Sequence, residues 1–445
     1  MISGLMSHQA NDILDRYGYL LCLVDIPRKD TIASGTAPLT WVLFHAILYA
    51  YQRTSMTLTL RPHQKDALQA MGNHDKGQII VPTGGGKTIC MIQDACIELR
   101  DSKTVVVVAP RILLAEQLCK EFLELIDTTH THVMHVHSGE TQHFSSTKAD
   151  KIHMFANVAR TAGENCIIFT TYHSLHRIQE ADIEVNTIYF DEAHNSVQRN
   201  FFPATEFFSN DADRCYFFTA TPKHSLTVFK PGMNDGAVYG QVICNVPAPQ
   251  LVDEGYILPP KVVVQQLPQG DFKQSDERNL LDTIDDNEVG KILIAARSTK
   301  QIVRLVTQSD FCAQLHERGY HWMYITSKTG AIIDGKKVSR EVFFKTLNQW
   351  GTEEHRKFVV MHHSILSEGI NVKGLEAVLF MRNMDYIGIS QSIGRVIRLG
   401  GDTKTFGLVC VPVFDKVGIS TARSVQAVVD TVFEKGEPAI SEVRR

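Results

Sequence analysis

The sequence predicts an α/β protein of two tandem domains, each a largely parallel sheet covered by helices, behind a short N-terminal accessory segment. Strand-like apolar runs alternate with amphipathic helical runs twice, over about residues 57–258 and again over 259–440. A glycine-rich stretch, Gln78–Thr88 (QIIVPTGGGKT), joins a strand to a helix near the start of the first series. The second series carries no such loop, so one nucleotide site is expected to serve two like domains at their interface.

Residues 1–56 carry no nameable chemistry. Asn11–Arg16 has a helical pattern, Tyr19–Val24 reads as a strand, and Pro27–Pro38 reads as a loop. Leu39–Tyr51 is apolar but too short to cross a bilayer and contains His45, which favours a buried helix. The segment is a candidate surface for a protein partner.

LRPHQKDAL (60–68) then places Arg61, Pro62 and Gln64 at the head of a helix. A glutamine amide offers a donor and an acceptor side by side, which suits the edge of adenine. The same residues also read simply as a helix start with proline in its first turn. Ile79–Val81 is a strand that runs into Thr83, Gly84, Gly85, Gly86, Lys87 and Thr88, followed by a helix over Ile89–Leu99. Glycines allow backbone N–H groups to curl round a phosphate, and the helix N-terminus favours its charge. Lys87 reaches the outer phosphates, and the Thr88 hydroxyl suits Mg²⁺. ATP with Mg²⁺ is the expected ligand, although Val81 stands where the strict pattern has glycine.

Thr104–Pro110 is a β-branched run of the kind buried on both faces of a parallel sheet. A helix over Ile112–Ile126 and strands at Val133–Val136, Ile167–Thr171, Thr187–Phe190 and Tyr216–Thr219 come next. Such sheets bind ligands at the carboxyl ends of their strands. His130 and His132 should face one way and His135 and His137 the other, so a four-histidine metal site is not expected. In IYFDEAH (188–194) the strand delivers two carboxylates to its carboxyl end. Asp191 can hold Mg²⁺ through water, and Glu192 can orient or deprotonate a water for attack on a γ-phosphate. FFTATP (217–222) ends the next strand in Thr219 and Thr221, whose hydroxyls can bond the carboxylates and His194 and couple the nucleotide site to the second domain.

Residues 223 to about 285 are punctuated by proline and glycine and read as an interdomain connection, with the acidic run Asp282–Glu288 as a solvated helix. The second series then gives a strand at Ile292–Ala296, a helix over Thr299–Arg318, a strand at Trp322–Thr326 and a helix over Val338–Trp350. Strands at Phe358–Met361, Val378–Met381 and Phe406–Val413 and a helix over Ser424–Glu434 close it. In QSIGRVIR (391–398), Gln391, Arg395 and Arg398 share one helix face. Two arginines there can stabilise charge on a transferring γ-phosphoryl group, while an exposed basic face is the plainer alternative.

LRPHQ, PTGGGKT, APRILLAEQ, TTYHSL, DEAH and TATP occur in the order and at roughly the spacing found in superfamily 2 helicases. Over residues 57–435 the chain resembles the DEAH-containing motors that include restriction-enzyme translocation subunits and related DNA-repair helicases. The resemblance implies two RecA-like domains, with Arg111, Thr170 and Thr171 along a nucleic-acid strand and touching phosphates. AARST (295–299) resembles the fourth motif and nominates Arg297 and Ser298 for the same track. SILSEGINVKG (364–374) resembles the fifth, contributing Ser364, Gly369 and Asn371; the family usually has aspartate where Asn371 stands. QSIGRVIR matches the sixth. The expected activity is an ATP-dependent helicase or translocase with nucleic acid as partner, DNA favoured over RNA. An RNA helicase, a duplex translocase that never separates strands, and an ATP-dependent binding subunit are the alternatives.

A net charge of −4 gives no global cationic field, so nucleic acid would be held by local patches and backbone amides. Nine scattered cysteines without a C-x-x-C favour reduced thiols in a cytoplasmic or nuclear compartment. No secretion signal is recognisable.

Overall fold

The computed structural model describes residues 59–100, 102–227, 229–267, 272–287, 289–296, 298–326, 328–363, 374–381, 407–414 and 440–444. The first sheet is built from β1 (Lys76–Ile80), β2 (Thr104–Ala109), β3 (Thr131–Val136), β4 (Phe144–Ser145), β5 (Asn165–Thr171), β6 (Thr187–Phe190), β7 (Arg214–Thr219) and β8 (Val242–Asn245). Their order is β4-β3-β5-β2-β6-β7-β1-β8, with every pair parallel. All carboxyl ends therefore lie on one edge.

Helices α1 (Pro62–Asn73), α2 (Lys87–Glu98), α3 (Ile112–Leu123), α4 (Ala149–Ala162), α5 (Leu175–Glu180), α6 (Phe202–Asp211), α7 (Gly236–Tyr239) and α8 (Ala248–Asp253) connect these strands. Val105–Ala109 of β2 are fully buried, as a central strand covered on both faces requires. One core packs Cys90, Met91 and Ala95 of α2 and Leu114, Leu118 and Phe122 of α3 against β2 and β5. The opposite face buries Ile152 and Ala159 of α4 and Ala204 and Phe208 of α6.

The second sheet has the order β13-β12-β11-β14-β10-β15-β16-β9-β17. Its strands are β9 (Pro260–Leu267), β10 (Lys291–Ala295), β11 (His321–Thr326), β12 (Gly330–Ile333), β13 (Lys336–Val338), β14 (Phe358–His362), β15 (Ala377–Phe380), β16 (Gly407–Phe414) and β17 (Ile440–Arg444). Only the β11-β12-β13 pairings are antiparallel. Its helices are α9 (Phe272–Asn287), α10 (Thr299–Thr307), α11 (Phe311–Glu317) and α12 (Arg340–Thr352). The two α/β domains expected from the sequence are thus present.

Three expectations change and one is refined. Residues 223–285 are more than a connection, since β8 extends the first sheet and β9 enters the second. The helix expected over Asp282–Glu288 is the end of α9, with Asp282, Asp285 and Asp286 exposed as expected, while Leu280, Leu281 and Ile284 on its other face pack into a core. The single helix expected over Thr299–Arg318 breaks in two: the Ser309 hydroxyl accepts the Phe311 N–H and starts a new helix that buries Phe311 and Leu315. The helix expected from Val338 begins at Arg340, capped by the Ser339 hydroxyl on the Val342 N–H. Val338 instead closes a hairpin turned by Asp334 and Gly335, both in the left-handed region (φ 43° and 79°).

Candidate nucleotide site

The site is assembled at the carboxyl edge of the first sheet, where three pairs of neighbouring strands are tied together at their ends. The Val81 N–H donates to Thr219 O (3.0 Å), the Asp191 N–H to Val108 O (2.9 Å) and the Tyr172 N–H to Ala109 O (3.2 Å). These bonds hold the first residue of the phosphate loop and the first carboxylate in fixed relation to the sheet.

Between Val81 and Lys87 the chain turns through Gly84 (φ 88°) and Gly86 (φ 86°), both in conformations that L side chains rarely adopt. α2 then begins at Lys87, with Thr88 in its first turn. Lys87 is buried, and its Nζ donates to Val81 O (3.5 Å) and lies 3.9 Å from Glu192 Oε1. Phosphate in the loop would add a further acceptor within the reach of this lysine.

The carboxylate pair is set by strand β6 and the turn at its carboxyl end. Glu192 sits in the left-handed region (φ 47°, ψ 53°), a strained backbone for a residue with a Cβ. Its carbonyl accepts from Asn195 Nδ2 (3.0 Å) in the short 3₁₀ turn Ala193–Asn195. The Asp191 carbonyl accepts from the buried Tyr172 hydroxyl (2.8 Å). Burial, with Glu192 beside it, pushes the Asp191 carboxyl up to about 7 despite the attraction of Lys87. A divalent cation would relieve this crowding, and the oxygen donors of Asp191 and the Thr88 hydroxyl are of the kind that fits Mg²⁺.

His194 Nδ1 shares a hydrogen bond with Thr219 Oγ1 (3.0 Å), which also accepts the Thr221 N–H (3.1 Å). Glu192 Oε2 lies 3.6 Å from the same His194 nitrogen. The structure therefore brings Lys87, Asp191, Glu192, His194, Thr219 and Thr221 into one connected cluster. Arg61 and Gln64 are also at the loop, but Gln64 is 4% exposed and its amide is bonded to backbone, not presented to an incoming base.

Of the residues nominated for a nucleic-acid track, Arg111 is exposed at the start of α3. Thr170 and Thr171 are buried at the end of β5, where the Thr170 hydroxyl donates to Val136 O (2.9 Å). The Ser298 hydroxyl accepts the Gln301 N–H (3.3 Å) and caps α10. Arg297, Ser364, Gly369, Asn371, Gln391, Arg395 and Arg398, together with Ser424–Glu434 and residues 1–56, lie outside the described residues.

His63, Tyr172, Asn195 and Tyr256 were not singled out from the sequence, yet His63 bonds the loop, Tyr172 and Asn195 bond the carbonyls of Asp191 and Glu192, and Tyr256 packs on Arg61 and His63. Tyr172 and His63 carried a signal, lying within TTYHSL and LRPHQ. The histidines of β3 pair off by face: His130 and His132 reach Glu164, while His135 Nδ1 and His137 Nε2 meet at 2.9 Å.

One parallel sheet bearing the glycine-rich loop and paired carboxylates, succeeded in the chain by a second, loop-free sheet of similar build, is the arrangement that superfamily 2 helicase-like proteins have, and this chain resembles them in fold. Residues 57–224 match the family described as type III restriction enzyme, res subunit. The fold resembles that of the ATP-dependent type ISP restriction-modification enzyme LlaBIII bound to DNA, with 18% identity, a TM-score of 0.64, and coverage of 84% of this chain and 30% of that one. It also resembles a putative HsdR subunit of a type I restriction enzyme from Vibrio vulnificus YJ016 (15% identity, TM-score 0.59, 86% and 68% covered). S. cerevisiae Dbp5 bound to RNA and ADP BeF3 is similar as well (15% identity, TM-score 0.58, 90% and 93% covered). The chain spans 30% and 29% of the lengths of the two type ISP enzymes it matches. No curated protein matches it. Among the described residues, no helix is long and apolar enough to cross a membrane.

Proposed function

We propose that the chain is an ATP-dependent motor on nucleic acid that couples hydrolysis to translocation or strand separation, with DNA as its preferred track. The observation that carries this is the meeting of Lys87 and Glu192 at 3.9 Å beside Asp191, on the edge where the loop opens. A phosphate-binding cation and a candidate general base there face the same space.

Lys87 would hold the outer phosphates while the loop N–H groups cradle them. Glu192, fixed by its strained backbone and the Asn195 bond, would orient and deprotonate the attacking water. Mg²⁺, held by Thr88 and Asp191, would supply neutralisation of the phosphate charge. Arg395 and Arg398 would complete the site from the second domain, with Gln391 on the same helix face and Gly369 and Asn371 beside the ribose. The His194–Thr219–Thr221 chain would carry the state of the carboxylates toward that domain. Arg111, Thr170, Thr171, Arg297, Ser298 and Ser364 would line the track, and residues 1–56 would offer a surface for a protein partner.

DNA is favoured by the restriction-enzyme family match and by the similar structure bound to DNA. An RNA track is the second reading, supported by similar structures bound to RNA. Steady-state hydrolysis of ATP with single-stranded DNA, duplex DNA and single-stranded RNA tests both. One polymer should stimulate strongly, and Glu192→Gln should cut turnover by about 10²- to 10⁴-fold while nucleotide still binds. Absence of hydrolysis with every polymer would sink the proposal.

A further inference from the structure

Three side chains at the head of α1 bond three successive carbonyls of the phosphate loop. Arg61 Nη1 donates to Gly84 O (3.3 Å), His63 Nε2 to Gly85 O (2.7 Å) and Gln64 Nε2 to Gly86 O (3.3 Å). In a planar trans peptide the carbonyl and the following N–H point in opposite directions. Holding the Gly85 and Gly86 carbonyls on the α1 side therefore turns the Gly86 and Lys87 N–H groups the other way, toward the mouth of the loop. The Gly85 N–H is already taken by Pro82 O (3.0 Å).

The glutamine expected to read adenine already uses one acceptor and one donor of its amide and is buried. Its Oε1 accepts the Arg61 N–H (2.9 Å) at the start of α1, and its Nε2 donates to Gly86 O. A Cβ at Gly86 would fall 2.4 Å from that Nε2, so the fit of loop to glutamine requires glycine. The Arg61 guanidinium lies over the Tyr256 ring (4.6 Å to its centroid), and the same ring meets His63 at 5.7 Å. His63 is 1% exposed. Its bond to a carbonyl places the proton on Nε2, and Nδ1 is buried with no hydrogen-bond partner. A buried nitrogen left unpaired is costly, so what the ring contributes is its bond to the loop and its packing on Tyr256.

From this geometry we infer that Arg61–Gln64 is a clasp that sets the shape of the phosphate loop, with His63 as its central positioning residue. The site then selects nucleoside triphosphates by their triphosphate and discriminates weakly among bases, so GTP serves nearly as well as ATP. This rests on the reading of the loop as a nucleotide site.

The test is equilibrium binding and steady-state hydrolysis of ATP and GTP by the full chain, wild type against Gln64→Ala, His63→Ala and His63→Gln, with melting temperatures to establish folding. Wild-type kcat/KM should differ between ATP and GTP by less than about tenfold, or about 1.4 kcal/mol. Gln64→Ala and His63→Ala should each weaken both nucleotides alike, by about three- to tenfold. His63→Gln, whose amide can donate from nearly the same place, should restore binding. Selective loss of ATP with GTP spared in Gln64→Ala, or a wild-type preference for ATP above about a hundredfold, would mean that the glutamine reads the base and would overturn the clasp. A lowered melting temperature with unchanged binding in His63→Ala would reduce that residue to packing. Failure of the wild type to bind either nucleotide would instead refute the nucleotide site itself.

Discussion

Replacing Arg214 by methionine should destabilise the first domain by about 3–5 kcal/mol at neutral pH, through a carboxylate on α2 far along the helix from Lys87. Arg214 donates to both oxygens of Asp94 (Nη2–Oδ1 3.0 Å, Nη1–Oδ2 3.2 Å) and to Met71 O (3.2 Å), and its Nη1 reaches Glu98 Oε1 at 2.5 Å. Without it, Asp94, which is 3% exposed, keeps the Tyr189 hydroxyl (2.6 Å) as its remaining side-chain donor among these groups. Burial already holds the Asp94 carboxyl above its ordinary range, against the pull of Tyr189 and Arg214. Losing the arginine raises it further. A carboxyl whose folded pKa exceeds its unfolded value binds its proton more tightly in the fold. The penalty should therefore be absent below the unfolded pKa, about 4, and should grow as pH rises through the folded one. Urea unfolding at pH 5 and pH 8 reads this directly. Asp94→Asn added to Arg214→Met should recover about 2 kcal/mol at pH 8. A loss equal at both pH values, or single-variant losses that simply add, would refute the assignment of the penalty to an uncompensated Asp94 charge.

Gly374→Ala should weaken the second domain, because the new Cβ would lie 2.1 Å from the Gly351 carbonyl oxygen and the residue has φ 73°. Left-handed backbone alone costs about 1–2 kcal/mol, and thermal unfolding followed by the fluorescence of Trp322 and Trp350 would report the loss. Burial, with His137 and His143 beside it, pushes the His135 ring from its usual 6.5 down to about 3, so the fold holds it neutral. Stability should fall as pH drops from 6.5 toward 3, by up to about 1.4 kcal/mol per pH unit, and His135→Phe should flatten that slope in acid-unfolding curves. Thr219→Val removes the hydroxyl shared by His194 and Thr221. Basal ATP hydrolysis should change little while stimulation by nucleic acid is lost, as parallel assays with and without polymer would reveal.

The strands of both domains were legible because parallel central strands leave a plain signature: after their first residues, β2 (TVVVVA) and β10 (KILIA) are apolar without interruption. The loop and the Asp191–Glu192 pair were legible because their chemistry is local in sequence. The hairpin β12–β13 also had its signal, the Asp334–Gly335 turn, but its lysine-rich second strand masked the alternation. The break in the helix expected over 299–318 comes from one serine hydroxyl, too small a feature for periodicity to register. The contacts of Gln64 were not legible for a deeper reason. Which groups an amide bonds depends on a loop some twenty residues on and on Tyr256 from a distant segment, and no pattern within LRPHQ encodes either neighbour.

The place of β1 in its sheet has a consequence for biosynthesis. Lys76–Ile80 pairs with Cys215–Thr219 on one side and with Val242–Asn245 on the other. A ribosome adding about 5–20 residues per second needs on the order of ten seconds to deliver those partners. Through that interval Ile79, Ile80 and Val81 are apolar backbone with no ladder to join, and the glycine loop behind them lacks the bond from the Val81 N–H to Thr219 O that fixes its start. The nucleotide site is thus among the last features of its domain to form on the nascent chain. Its strand is the segment on which chaperones would act, and slowing elongation between residues 81 and 215 should lower the yield of folded protein.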